Sequence, residues 1–306
     1  LSIPSEILIL TMQSYQKYFP TFDKKGKVTN EFLIVANNND KKGLIKTGNE
    51  RVVEARLSDA EFFWNKDKSQ NLVKKISELK LMNFFKGLGT YFDKVQRMRK
   101  LGALISDELL ISKEKVELSA SICKTDLMSE SVGEFPELQG VMGSYLSQAQ
   151  GFDKDIVDAI KEQYLPIGLD STIPKKPYNI TLSITDKIDT LVGFFGVNEK
   201  PSSSKDPYAL RRTALGIIRI IIENKRDLKI NDLISYSSNI YLDQGFSFSN
   251  NILQKDTLNF LKDRFKYYLK EKNFRHDIVD AATKTLNLNK ISITYEKAKS
   301  LNKIIN

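Results

Sequence analysis

The feature that most restricts this chain's fold is a series of helical-period apolar stripes running from about Glu50 almost to the C-terminus. Apolar side chains spaced at three and four residues share one face only if the backbone is helical. The sharpest stripe is Leu210, Ala214, Ile217 and Ile221, and it follows Asp206-Pro207. An aspartate N-cap accepts from free first-turn amides, and proline loses nothing at the first helical position. The pair therefore predicts a helix that begins at Pro207. Arg211 and Arg212 leave the stripe early in the helix, where the dipole disfavours cations, so an anionic partner is expected for them.

The same pattern predicts a helix from Ser5 to about Tyr18, with Pro4 at its entry and Pro20 after its end. Another runs from Arg51 to Trp64, and one or two more lie between Leu72 and Leu110 around the Gly87-Leu-Gly89 break. Further helices are expected at roughly 114–132, 153–163 and 181–195. Lys27 to Asn37 is rich in β-formers and reads as a short strand or hairpin. Prolines 166, 174 and 177 mark a loop. The Ser- and Asn-rich stretch from Ser235 through Asn250 reads as a joint. The expected fold is mainly α: a small α/β segment at 1–66, a helical body at 67–230, a linker at 231–250 and a basic helical region at 251–306.

At 306 residues, with 41% apolar and 28% charged residues, the chain can bury a sizeable core and is too apolar to be disordered. No apolar run reaches the length of a membrane span, since Arg219 interrupts even the Ile-rich stretch at 217–222. A cytoplasmic protein with no membrane partner is expected. Cys123 is the single cysteine, which excludes an internal disulfide and suits a reducing compartment. Leu1 is not an initiator methionine, so a processed chain or a fragment is expected. Net charge is +9, and residues 251–306 carry 12 Lys and Arg against 6 Asp and Glu. Most of the excess therefore lies in the last fifth of the chain, which points to a polyanionic partner or to a solubilising face.

In the basic region Leu258, Leu261, Phe265, Tyr268 and Leu269 form an apolar stripe. Lys262, Lys266 and Lys270 fall beside it at steps of four, with Arg264, Lys272 and Arg275 widening the patch. Stacked ammonium groups repel mildly, so a phosphate backbone is a natural partner, with a solvated lysine face as the plain alternative. Asp126, Glu130 and Glu134 also follow at steps of four, and Asp186 and Asp189 sit three apart beside the stripe Ile184, Ile188, Leu191 and Phe195. Acidic groups on two helices can hold a divalent metal, pair with Arg211 and Arg212, or face solvent. His276 has no second histidine with which to build a metal site or dyad. No Gly-rich phosphate loop is present, and Gly87-Leu-Gly89 lacks the rest of a dinucleotide fingerprint.

The arrangement resembles the helical core of HD-type phosphohydrolases, whose metal ligands are a histidine, a His-Asp dipeptide and a distant aspartate. Thr185-Asp186-Lys187 is similar to the last of these, and Lys124-Thr-Asp126 stands near the His-Asp position. The histidines are missing, so the resemblance implies an HD-like scaffold without metal chemistry. An active phosphohydrolase is the disfavoured alternative, and a non-enzymatic RNA-binding helical adaptor is a further one.

Lys205-Asp206-Pro207 with Leu210-Arg-Arg212 resembles a signature of the glycyl-tRNA synthetase β subunit family. Gln16-Lys-Tyr-Phe19, Phe32 to Asn37, Gly48 to Val53, Arg56 to Phe63, Leu88-Gly-Thr90, Lys124 to Met128, Glu134 to Gly143 and Asp186 to Leu191 resemble that family in the same order. Phe260, Arg264 and Asp277 to Ala281 are similar to the start of its helical anticodon-binding module. The resemblance implies a central to C-terminal portion of a β subunit, in which Asp126, Glu130, Asp186, Asp189, Lys205, Asp206, Arg211 and Arg212 are a structural signature, with the Gln139 to Gly143 loop and the Arg211-Arg212 turn either structural or tRNA-facing. It further implies glycine tRNA and an α subunit as partners in an α2β2 assembly, with ATP and Mg on the α subunit. No catalytic or metal-binding residue and no cofactor are expected here. Tyr15 departs from the family, which has histidine there. Arg211 and Arg212 are expected to pair with Asp126, Glu130 or Asp186.

Overall fold

The computed structural model describes residues 3–305, with the side chains of Tyr15 and Asn250 excepted. Leu1 and the Tyr15 side chain, both singled out above, thus lie outside the described residues. Among the described residues the chain is mainly helical, with one small antiparallel sheet.

Helix α1 (Ser5–Leu10) continues as a π-helical turn to Tyr15. The first helix is therefore shorter than expected, and Pro20 sits in a strand. Strands β1 (Phe19–Phe22) and β2 (Val28–Leu33) pair antiparallel with Phe19 opposite Leu33 and Phe22 opposite Val28. Gly26 takes φ +76° in the turn between them. The Asp23 carboxylate closes that turn by accepting from the amides of Lys25 and Lys27.

Helix α2 (Leu44–Lys68) is longer at both ends than the stripe at 51–64 suggested. It packs in a separate apolar cluster that includes Ile7, Trp64, Phe135 and Met142. Helices α3 (Leu72–Glu78) and α4 (Tyr91–Leu109) flank the Gly87-Leu-Gly89 break as expected. A full capping box starts α4: the Thr90 hydroxyl accepts from the Asp93 amide, and the Asp93 carboxylate accepts from the Thr90 amide.

The helix expected at 114–132 is three pieces. Helix α5 (Lys113–Ile122) ends at Cys123, a 3-10 turn spans Thr125–Met128, and Ser129 caps α6 (Glu130–Glu134). Helices α7 (Val141–Ala149) and α8 (Lys154–Glu162) follow. Helix α9 (Pro177–Gly196) is the central element, with buried residues on every face. A helix enclosed on all sides must match its polar side chains internally.

Around α9 pack α4, α10 (Leu210–Asn224), α11 (Ile230–Asp243) and α12 (Asn250–Glu271). Helices α13 (His276–Lys284) and α14 (Ile291–Ile305) complete the chain. One apolar cluster joins Leu101, Ile184, Ile217, Ile234, Phe265 and Ile291 across these helices. Within the stretch expected as a linker, 231–250, helix α11 covers the residues as far as Asp243. Leu233, Ile234, Ile240 and Tyr241 of α11 are buried in the common core.

Candidate functional site

Two charged regions flank α10. One is enclosed and one is open.

The enclosed region sits where α4, α9 and the 124–126 turn meet. Asp189 is reached by Arg97 Nε at 2.6 Å and by Lys94 Nζ at 3.1 Å. Asp186 is reached by Lys124 Nζ at 3.2 Å, while Lys94 Nζ lies 3.0 Å from its other oxygen, a charge contact without hydrogen-bond geometry. Four of these five side chains are at most 2% exposed, and Asp186 is the least enclosed. Aromatic faces add to the cations' surroundings. Arg97 lies 3.9 Å from the Tyr241 ring centre and Lys124 4.0 Å from that of Tyr164. Burial works against ionising Asp186, but the Lys124 and Lys94 ammonium groups outweigh it and hold the carboxyl well below its ordinary range. Burial, helped by the nearby Lys124 and Lys94 charges and opposed by Asp186, depresses Lys187, next along α9, to about 7. Its Nζ is held by the Leu165 carbonyl at 2.7 Å and the Ser183 hydroxyl at 2.9 Å.

Asp126 belongs to the same region but is held by backbone. Its Oδ2 accepts from the amides of Gly140 at 2.6 Å and Gly143 at 3.0 Å, the N-terminal turn of α7. Gly140 has φ +82°, and a Cβ at Gly143 would stand 2.9 Å from Ile160 Cγ2 and 3.0 Å from this oxygen. Burial raises Asp126 to about 6 despite those two amides. The Gln139 to Gly143 loop thus seats Asp126.

The expected ladder of Asp126, Glu130 and Glu134 does not form. The breaks at Cys123 and Ser129 turn Asp126 inward, and Glu130 faces outward to Lys66 at 2.7 Å. The expected pairing of Arg211 and Arg212 with these acids is also absent. Asp126 is taken by glycine amides, Glu130 by Lys66, and Asp186 by Lys94 and Lys124. The partners of Asp186 and Asp189 come from α4 and the 124 turn. Sequence reading missed them because Lys94 and Arg97 look like ordinary surface charges at the edge of the α4 stripe. The only signal was position, since Val95, Met98 and Leu101 bury the same face. Lys124, by contrast, was already flagged by its place in Lys124-Thr-Asp126.

The open region begins at the signature segment. Helix α10 starts at Leu210, three residues later than Asp206-Pro207 predicted, because Ala209 is left-handed at φ +54°. Asp206 still caps it from outside. Its two oxygens accept from the amides of Leu210 at 2.8 Å and Arg211 at 2.9 Å. Lys205 is exposed, and its backbone closes a turn with Ser202. The Arg211 guanidinium donates to the Ser202 and Ser203 carbonyls of that turn, and so latches the loop to the helix. Arg212 is exposed and makes no hydrogen bond or ion pair among the described residues. Both arginines line a cleft of about 330 Å³ with Arg219 and with Arg264 from α12.

Arg264, expected to widen the lysine patch, lines this cleft instead. Of the remaining basic residues, Lys266 is paired with Asp280 at 2.8 Å and Arg275 with Asp277 at 2.8 Å. Lys272 lies over the Tyr268 ring, 5.6 Å from its centre, and Lys262 and Lys270 have no acidic partner among the described residues. His276 is an exposed residue of α13, 3.3 Å from Asp280. Among the described residues no group of three or more His, Cys, Asp and Glu side chains comes together as a metal site, and no helix is long and apolar enough to cross a membrane.

A family model described as "Glycyl-tRNA synthetase beta subunit" matches residues 1–284, which sets the chain in the class of aminoacyl-tRNA synthetase subunits. A glycine–tRNA ligase beta subunit from Janthinobacterium sp. (strain Marseille) is 39% identical over 282 residues, covering 92% of this chain and 40% of the relative. The corresponding protein of Rickettsia canadensis (strain McKiel) is 42% identical over 282 residues, covering 92% and 41%. That of Rhodospirillum centenum is 38% identical over 286 residues, covering 92% and 40%. The chain belongs to the glycyl-tRNA synthetase beta subunit family. It spans about two fifths of the length of the curated relatives it matches.

Proposed function

We propose that this chain supports the ATP-dependent attachment of glycine to its tRNA as the tRNA-holding part of a β subunit. In this reading the adenylate chemistry, with ATP and Mg, belongs to a separate α subunit in an α2β2 cytoplasmic enzyme. The reading is supported by family membership and by one structural observation: the ammonium groups of Lys94 and Lys124 sit on Asp186, the residue that resembles an HD-type metal ligand. A site filled by fixed cations cannot offer that carboxylate to a divalent ion without displacing them. The scaffold thus reads as HD-like in form and ionic in content. RNA contact falls to the outer basic surface, where Lys262 and Lys270 on α12 have no acidic partner among the described residues.

The test is binding of the chain to glycine tRNA and to an unrelated tRNA across a salt series. Affinity should fall with salt by about 0.7 to 0.9 log units per neutralised phosphate for each log unit of salt. Lys262→Gln with Lys270→Gln should lower the slope by roughly 1.5. A slope unchanged by the double variant would remove the α12 strip from the interface. Manganese-dependent phosphatase activity of the pure chain would instead restore the hydrolase reading.

A further inference from the structure

The cleft between α10, α12 and the 166–169 loop has a charge imbalance that nothing within the fold requires. Arg212 is unpartnered and exposed. Arg264 stacks against the rings of Phe260 and Tyr267, 5.6 and 5.4 Å from their centres, and its Nε is buried with no hydrogen-bond partner. Arg211 spends part of its guanidinium on two carbonyls and meets no carboxylate. Arg219 is the neutralised member. It is bidentate to Glu223 and donates to the Gly168 and Ser171 carbonyls, which fixes the loop that walls the cleft. A further carboxylate, Glu271, is engaged by the Tyr267 hydroxyl. Among the described residues the guanidinium groups of Arg211, Arg212 and Arg264 therefore line one small volume without an ion pair, while Arg212 also borders a second cleft lined by Asp186.

The rest of the lining decides what kind of anion fits. Leu169, Leu215 and Pro166 give an apolar wall, and the Tyr267 ring stands beside Arg264. A bare inorganic ion would leave that wall unused. The cleft, at about 330 Å³, is at the small end of the range for ligand sites. A ligand with both a flat apolar portion and a phosphate matches the two halves, because arginine forks complement phosphate oxygens and aromatic rings accept stacked bases.

We propose that this cleft binds one nucleoside phosphate of an unpaired RNA segment, with the phosphate on Arg212 and Arg264 and the base against Tyr267 and the apolar wall. The proposal rests on the tRNA-holding reading above and deepens it: the lysine strip follows a phosphate backbone, whereas the cleft captures a single exposed nucleotide. Arg211 acts as a positioning residue, because it ties the 202–203 turn to the start of α10.

Fluorescence anisotropy with a labelled, unstructured RNA oligonucleotide tests it on the chain as it stands. Arg212→Gln and Arg264→Gln should each weaken binding about tenfold, and Tyr267→Ala by roughly five- to a hundredfold. Arg212 is exposed, so its variant is expected to fold, and a thermal melt of each variant confirms this. Unlabelled duplex RNA should compete poorly, since its bases are not free to stack. Oligonucleotide binding that is indifferent to all three substitutions would overturn the proposal while leaving salt-dependent tRNA binding intact. Inorganic phosphate competing as well as AMP would overturn the base-binding half. AMP competing as well as the oligonucleotide would keep the nucleoside phosphate but overturn its RNA source. Cleft-dependent oligonucleotide binding without any affinity for whole tRNA would uphold the site and overturn the tRNA-holding function.

Discussion

The buried centre on α9 and the cleft beside α10 are both built around cations, yet they reach opposite ends of the same balance. In the centre, Lys94, Arg97 and Lys124 meet Asp186 and Asp189 at 2.6 to 3.2 Å in near-complete enclosure. In the cleft, Arg211, Arg212 and Arg264 meet carbonyls, rings or nothing. Charges removed from water must be matched where they lie, because their solvation is lost on folding. Charges left at a surface are free of that demand and can be kept for a ligand. The contrast separates cations that hold this fold together from cations that remain available, a distinction residue type alone does not draw.

The comparison is most directly broken at Asp189. Asp189→Ala leaves Arg97 and Lys94 buried with one carboxylate fewer, and should cost about 3–5 kcal/mol in urea denaturation. A loss under about 1 kcal/mol would mean the centre is not the fold's ionic keystone.

Next in size is a pH effect at Asp126. Its folded value, about 6, lies above the ordinary 3.8. The folded state thus takes up the proton more readily, and the associated stability is present below about pH 4 and lost as pH rises towards 6. A shift of that size corresponds to roughly 3 kcal/mol. Asp126→Asn, whose side-chain oxygen can still accept from Gly140 and Gly143, should lack this slope. Urea midpoints between pH 4 and 7 would show it, and parallel profiles for the two proteins would rule it out. Asp186 has the opposite sign. Its depressed value contributes stability above about pH 4 that is lost on further acidification.

The smallest stability effect is expected in the cleft. Arg212→Gln should leave the unfolding free energy within about 0.5 kcal/mol of the parent. A larger loss would mean that Arg212 is structural after all, and would bring the two regions closer together.

Much of the architecture was legible in sequence because apolar spacing is a local property. The stripes of α9 and α10 came out as read, with Ile184, Ile188, Ile217 and Ile221 all buried. The helix start at Asp206-Pro207 was misplaced because a cap can act across a turn. Asp206 reaches the α10 amides over a left-handed Ala209 that no spacing rule announces. The stretch expected as a joint, 231–250, is helical as far as Asp243, because Ser and Asn also occur in helices whose apolar residues meet a core on the other side.

The sequence by itself determined that this chain is helical, that Lys205 to Arg212 marks a specialised loop and helix start, and that its family is the glycyl-tRNA synthetase beta subunit. It also determined that basic charge collects in the last fifth. Only the tertiary structure decided which charges pair. Asp189 meets Arg97 across 92 positions of sequence, and Asp126 meets a helix N-terminus 14 residues away rather than its neighbours at steps of four. Ion pairing depends on distance and enclosure in three dimensions, and the sequence records neither. The same reason moved Arg264 off a lysine strip and into the company of Arg211 and Arg212.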